Sequence, residues 1–410
     1  MTSDAVFVWT WLPGTTDPVV AGRLVASGPS HVFNYGRSYL ANPAAISLFT
    51  PELPLAPGAH QPLPGLTLPG CLRDGSPDGW GRRVIEHHLK VSENSLSEID
   101  YMLASGSNRL GAIDFQESAT QYVPRGSQAS LDELVDAAEL IQAGKELPPE
   151  LDAAIAHGTT IGGARPKVLV RGADGVQWIA KLSTSSDFVQ SQPNAEAMCL
   201  ELARRVGIEV PQWRITSSNG RTVLLVRRFD RTPAGHRRHV VSGLTMAGED
   251  EMAARYVSYP RILETLIARK ATGAPHPGPL LFRRIAFNMA ISNFDDHARN
   301  HAAFWDGEHL TLTPAYDLVP TARSGEEGAQ AMAYGPHSTD KQSTLRDLVQ
   351  HHAVYALTRT EALEVVEQTI DTIEAEYDSA ADLAEVSRHD RAVMWRRQIL
   401  NVGTTRGWNA

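Results

Sequence analysis

The sequence predicts an α+β fold, in which a β-rich N-terminal module precedes a two-lobed region whose second lobe is helical. Three observations predict it. Residues 5 to 50 hold short apolar runs, "VFVWTWL", "VVAGRLVAS", "HVFNYG" and "AISLFT", separated by Gly, Pro and Asn, the pattern of short strands joined by turns. Two further apolar pairs flank "GADG" and "DG", which are hairpin turn signals. Beyond about residue 345 the periodicity is helical throughout.

The elements follow in order. Seven prolines fall between Pro43 and Pro69, which disfavours regular structure there. "SPDGWGRRVIEHHLK" and "SLSEIDYMLASG" predict helices, the second opened by Ser95 with Glu98 as its capping partner. Ser130 with Glu133 starts another helix. "TTIGGARPKVLVRGADGVQWIAKL" reads as a glycine-rich loop leading into a hairpin. "NAEAMCLELARRVG" reads as an amphipathic helix stopped by Gly207, and "TVLLVRRF" as a strand. "GPLLFRRIAFNMAIS" predicts a helix ending at "NFDDHARN", and Thr358 with Glu361 caps the long helix near the C-terminus. The boundaries this suggests are 1–125 for the N-terminal module, 126–230 for the strand-rich lobe and 231–410 for the helical lobe.

Composition narrows the function. With 410 residues, the chain exceeds what one core usually serves. A formal net charge of -9 argues against a dedicated nucleic-acid binder, because neutralising phosphates takes a surplus of Lys and Arg. Two cysteines, Cys71 and Cys199, are too few for a disulfide framework or a thiolate metal cage and fit a reducing compartment, with the cytoplasm as the expectation. No apolar window reaches the length of a membrane span.

"NFDDHARN" asks what chemistry needs an aspartate and an asparagine five positions apart where a helix stops. Phosphoryl transfer does: one carboxylate holds the acceptor hydroxyl, and oxygen ligands hold Mg²⁺ against the phosphates. Asp295 and Asn300 have that separation, and Asp317 after "TPAY" is placed to supply a second metal ligand. Lys181 at the end of "VQWIAKL" is placed to meet phosphates, with Glu196 on the next helix to orient it. Gly158, Gly162 and Gly163 lie before the lysine strand, where backbone N–H groups can approach phosphate. No Gly-Lys-Ser/Thr follows, so this is not a Walker A loop.

Taken together, "TTIGGARPK", "IAKL", "LLVRRFDR", "DDHARN" and "LTPAYDL" resemble the HipA family of serine/threonine kinases, toxins of bacterial toxin–antitoxin pairs, over nearly the whole chain. The resemblance implies a protein-kinase-like fold using ATP and Mg²⁺, with Asp295 catalytic and Asn300 and Asp317 binding the metal. It implies that Lys181, Gly162, Gly163 and Ala164 contact the nucleotide, that Arg227 and Phe229 present main chain to adenine, and that Asp230 and His297 lie near the ribose. Thr160, next to Thr159, matches the family's autophosphorylated serine. A helix-turn-helix HipB-like antitoxin that supplies the DNA contacts and a protein substrate, an aminoacyl-tRNA synthetase in understood members, are the implied partners.

Competing readings are a nucleotide-sensing module that holds an antitoxin on DNA, a kinase for a small molecule or lipid, and a metal hydrolase built on Asp296, His297 and His301. The last lacks a second His/Asp cluster in the sequence. "RRFDRTPAGHRRH" carries five arginines and two histidines in thirteen residues and has no definite ligand.

Overall fold

The computed structural model describes residues 4–126, 129–148, 151, 166–172, 174–183, 189 and 191–408. By internal contacts the chain forms two units. The first comprises residues 1–182, 217–241 and 304–309, the second residues 183–216, 242–303 and 310–410.

In the first unit, β1 (Ala5–Trp11), β2 (Pro18–Ser27), β3 (Ser30–Tyr35), β4 (Ala59–His60) and β5 (Ile113–Gln116) form one sheet, ordered β4-β3-β2-β1-β5. The hairpin pairs are antiparallel, and β5 returns to pair with β1, Val8 opposite Phe115. "AISLFT" forms no strand, only a single bridge from Phe49 to Leu53. Its backbone groups are taken by side chains instead. The Tyr39 hydroxyl donates to the Ile46 carbonyl at 2.8 Å, the Leu48 N–H donates to the Tyr35 hydroxyl at 3.0 Å, and the Trp305 indole donates to the Ser47 carbonyl at 2.8 Å. A segment so satisfied needs no sheet partner.

Helices α1 (Gly79–Leu89), α2 (Glu98–Ala104) and α3 (Leu131–Gln142) follow. The capping box of α2 is Ser97 with Asp100, not Ser95 with Glu98. This frame starts the helix so that Ile99, Tyr101 and Met102 point into the core, and burial decides between two overlapping local signals. The Ser130–Glu133 box forms as expected.

The "GADG" hairpin is present: β6 (Lys167–Arg171) pairs antiparallel with β7 (Gln177–Leu182), which pairs on its other side with β8 (Arg221–Arg227). Trp80 and Val84 of α1, Leu134 and Ala138 of α3, and Val168, Ala180, Val223 and Leu225 from the three strands form one buried cluster. Each such side chain stabilises the unit by about 1.5 to 3 kcal/mol relative to exposure. The core therefore draws on residues before and after position 125.

The second unit is mainly helical. Helix α4 (Gln192–Arg205) was expected to be amphipathic, yet every residue from Gln192 to Ala203 is buried. It is a central helix packed on α7 (Arg359–Leu383). Its acid Glu201 is compensated by Arg204 and Arg205 at 2.7 Å. Helices α5 (Tyr259–Ala268) and α6 (Pro277–Ala290) pack on each other, and α6 also packs on α7. The Thr358–Glu361 box opens α7 as expected.

Candidate active site

Helix α6 is buried on most of its surface and ends at Ala290. Ser292 then takes a positive φ of 52° and turns the chain sharply, a conformation that costs energy for a non-glycine residue. The turn is held because the Ser292 carbonyl accepts from the Thr321 hydroxyl at 2.7 Å, while its own hydroxyl donates to the Gln398 carbonyl at 2.7 Å.

The loop that follows is wound on itself. The Asp295 carbonyl accepts the His297 N–H at 2.8 Å and the Asn300 side-chain amide at 3.1 Å, and the Asn300 N–H donates to the His297 carbonyl at 2.9 Å. Asp295 is exposed, His297 half-buried and Asn300 buried. Because the Asn300 Nδ2 is tied to the main chain, its Oδ1 remains as the amide's acceptor.

Asp317 lies on a second turn, half-buried, with φ of 60°. Two hydrogen bonds join this turn to the first. The Tyr316 hydroxyl donates to the Arg299 carbonyl at 2.7 Å, and the Asn293 amide donates to the Asp317 carbonyl at 3.2 Å and to Asn288 Oδ1 at 3.0 Å. The residues preceding Asp317 and Asn300 are thus bonded to each other. A strained backbone at an acidic residue, over-determined by its surroundings, is where functional geometry is commonly stored.

Beneath the loop, Asp296 and His301 are each 2% exposed. Asp296 accepts from His301 Nε2 at 2.9 Å, the Tyr259 hydroxyl at 2.5 Å and the Asn288 amide at 2.7 Å. Burial and the neighbouring Asp296 push the Tyr259 hydroxyl well above its ordinary range. Among the described residues, no group of three or more His, Cys, Asp or Glu is arranged to hold a metal. The metal-hydrolase reading of Asp296, His297 and His301 is set aside because Asp296 and His301 are spent on each other and buried.

The remaining predicted residues divide as follows. Glu196, in the second unit, is 4% exposed on α4. Lys181, in the first unit, is half-buried on β7, opposite Lys167 of β6 and Leu224 of β8. Arg227 ends β8, and Phe229 meets Phe304 edge-on at 5.8 Å. Gly162, Gly163, Ala164, Thr159, Thr160 and Gly158 lie outside the described residues.

Asp230 stands apart from its expected role. It is 1% exposed, and its carboxylate accepts from Arg228 at 2.9 and 2.7 Å, from Arg231 at 2.8 Å and from the Gly111 N–H at 2.7 Å. Burial alone would raise its pKa, but Arg228 and Arg231 outweigh that and hold it well below the ordinary carboxylate range. With both oxygens engaged, Asp230 is not an open acceptor for a ribose hydroxyl. The arginine-rich run around it is consequently an internal brace: Arg228 also donates to the Asn108 and Arg109 carbonyls, and Arg237 lies over the Trp11 ring and donates to the Ser107 carbonyl.

Sequence reasoning did not single out Asn288, Asn293, Tyr259 or Tyr316. Asn293 sits two positions before Asp295 in the same polar run, so its signal is legible in the sequence. Tyr259 lies 37 positions from Asp296 and only folding brings it there.

The HipA-like C-terminal domain matches residues 159–377, and the HipA N-terminal domain matches residues 15–116. The chain belongs to the HipA family. A protein of Sinorhizobium fredii named as a kinase, Y4mE, is 27% identical over 137 residues, which span 31% of this chain and 32% of that protein. The chain thus spans about a third of the length of that relative. A solved structure of the Shewanella oneidensis MR-1 toxin–antitoxin system, HipA with HipB and operator DNA, matches with a TM-score of 0.65 at 17% identity, covering 95% of this chain and 93% of that one. This likeness establishes a shared α+β, HipA-like fold. No helix among the described residues is long and apolar enough to cross a membrane.

Proposed function

We propose that this HipA-family chain is an ATP- and Mg²⁺-dependent protein serine/threonine kinase, the toxin of a bacterial toxin–antitoxin pair acting in the cytoplasm. The observation that carries this reading is the pair of bonded turns: Asn300 tied through its amide nitrogen to the Asp295 carbonyl, and Tyr316 tied to Arg299, so that Asp295, Asn300 and Asp317 share one corner of the second unit.

The donors in that corner suit the implied metal. The Asn300 Oδ1 and the Asp317 carboxylate are hard oxygens, and Mg²⁺ takes one or two such groups plus phosphate and water. Bound there, Mg²⁺ would neutralise phosphate charge. Asp295, exposed at the tip of the loop, would orient the acceptor hydroxyl and take its proton. Lys181 would meet the phosphates, with Glu196 orienting its ammonium group. The main chain at Arg227 and Phe229 would face adenine, Gly162, Gly163 and Ala164 would approach phosphate, and His297 would lie near the ribose. Thr160 or Thr159 is the proposed self-modification site.

A HipB-like antitoxin is the proposed partner, in line with the assembly of the Shewanella protein. The net charge of -9 leaves DNA contacts to that partner. The target is a cellular protein, with an aminoacyl-tRNA synthetase the first to examine. Phosphoproteomics of cells expressing the parent or Asp295→Ala tests the whole reading. Phosphoserine or phosphothreonine sites present only with the parent support it. Nucleotide binding without transfer to any protein would replace it with a regulatory module, and transfer only to lipid or small molecules would replace the substrate class.

A further inference from the structure

Asp296 and His301 do not take part in the chemistry proposed above, yet they are buried and bonded to each other directly beneath it. Each is covalently next to a reactive position, Asp296 after Asp295 and His301 after Asn300. Asp295 is exposed while Asp296 is buried, so successive carboxylates point to opposite sides of the loop. His301 Nε2 lies 2.9 and 3.0 Å from the two Asp296 oxygens. Among the described residues its buried Nδ1 has no hydrogen-bond partner, so the Nε2–H is the donor that the carboxylate accepts.

Four further contacts fix the pair. The Tyr259 hydroxyl on α5 and the Asn288 amide on α6 both donate to Asp296 Oδ2, at 2.5 and 2.7 Å. The Tyr259 ring stands edge-on to the His301 ring at 5.4 Å. The His301 carbonyl accepts the Gly243 N–H at 2.7 Å. A Cβ at Gly243 would sit 2.5 Å from the Ala298 carbonyl oxygen, so the backbone beside the loop is packed to the limit of contact.

We infer that the buried Asp296–His301 pair, with Tyr259, is a positioning device that closes the loop from beneath and sets the separation between Asp295 and Asn300. The inference rests on the kinase reading. A tie between positions 296 and 301 clamps both ends of the segment whose outer residues act on hydroxyl and metal. Loosening it moves those residues relative to each other without touching the nucleotide, and a displacement of about 1 Å at a reacting group can cost on the order of 100-fold in rate.

The test compares Asp296→Asn, His301→Ala, His301→Gln and Tyr259→Phe with the parent and with Asp295→Asn. It uses the full chain, with thermal melting recorded for each variant and assays run well below the lowest transition. Rates are read with ATP and Mg²⁺ varied separately, and Mn²⁺ binding in the presence of ADP is followed by electron paramagnetic resonance. Expected results for His301→Ala are a fall in kcat of at least about tenfold, a KM for ATP within about twofold of the parent, and a higher Mg²⁺ concentration at half-maximal rate. Mn²⁺ binding weakens in step. His301→Gln, which keeps a donor in reach of Asp296, restores most of the loss, and Tyr259→Phe gives a smaller defect of the same kind.

Folded His301→Ala and Tyr259→Phe proteins with the parent's kcat and metal dependence would overturn the inference. So would a loss in His301→Ala that Gln does not relieve, or one confined to KM. If the parent itself neither transfers phosphate nor binds Mn²⁺ with ADP, the kinase reading fails and the inference falls with it. Parental activity with indifferent variants removes the inference alone.

Discussion

Asp230 and Gly111 lie 119 positions apart and are joined by a 2.7 Å hydrogen bond from the glycine N–H to the carboxylate. The same carboxylate holds Arg228 and Arg231, and those two arginines reach the carbonyls of Asn108, Arg109 and Gly111. The end of β8 is therefore locked onto the loop before β5 by charge-assisted bonds in a dry setting, where each is stronger than at a surface.

Removing the acid leaves two buried guanidinium groups without their counter-charge. Asp230→Ala is expected to destabilise the first unit by about 3 to 5 kcal/mol, the range for breaking one partner of a buried pair. Urea unfolding followed by tryptophan fluorescence checks this. A change below about 1 kcal/mol would mean that the pair contributes no more than a surface bridge does.

Gly111 has φ of 79°, and a Cβ there would stand 3.3 Å from the Val240 nitrogen. Both the left-handed backbone and the close approach oppose a side chain. Gly111→Ala should cost about 1 to 3 kcal/mol, and the same unfolding assay reads it.

His239 is buried, with Nε2 3.0 Å from the Trp11 carbonyl and 3.2 Å from the Thr10 hydroxyl. Burial pushes its pKa down from 6.5 to about 4. Between those values the unfolded chain binds the proton and the folded chain does not. The contribution is therefore complete above pH 6.5 and is lost as pH falls towards 4, amounting to about 3 kcal/mol in all. Urea midpoints taken from pH 7 down to 4.5 should show this slope, and His239→Gln should flatten it whatever its effect at neutral pH.

On the kinase reading, Asp317→Ala should reduce phosphoryl transfer by at least about 100-fold, measured at a temperature where circular dichroism shows the variant folded. Initial rates against Mg²⁺ concentration test it. A rate within tenfold of the parent at saturating Mg²⁺ would take Asp317 out of the metal site.

Trp80 is fully buried between α1 and the cluster formed by α3 and β6 to β8. Trp80→Ala is expected to cost about 3 to 5 kcal/mol. One cooperative unfolding step for the first unit in the parent, broadened in the variant, would show that the N-terminal module and the strands carrying Lys181 share their stability.

Local chemistry alone was enough to write the loop and two of the three capping boxes. The five-residue spacing of Asp295 and Asn300, the "GADG" hairpin, and the boxes at Ser130 and Thr358 are set by neighbours within one turn of chain, so their pattern survives in the linear sequence. Tertiary structure decided matters in which the local signal was silent or double. It chose Ser97 over Ser95 because that frame buries Ile99 and Met102, and it withheld a strand from "AISLFT" because Tyr35, Tyr39 and Trp305 side chains reached its backbone first. It buried α4 on nearly every face, and it drew Asp230 into an arginine brace. In each case the deciding partner lies far along the chain or the deciding energy is burial, and neither quantity exists until the chain has folded.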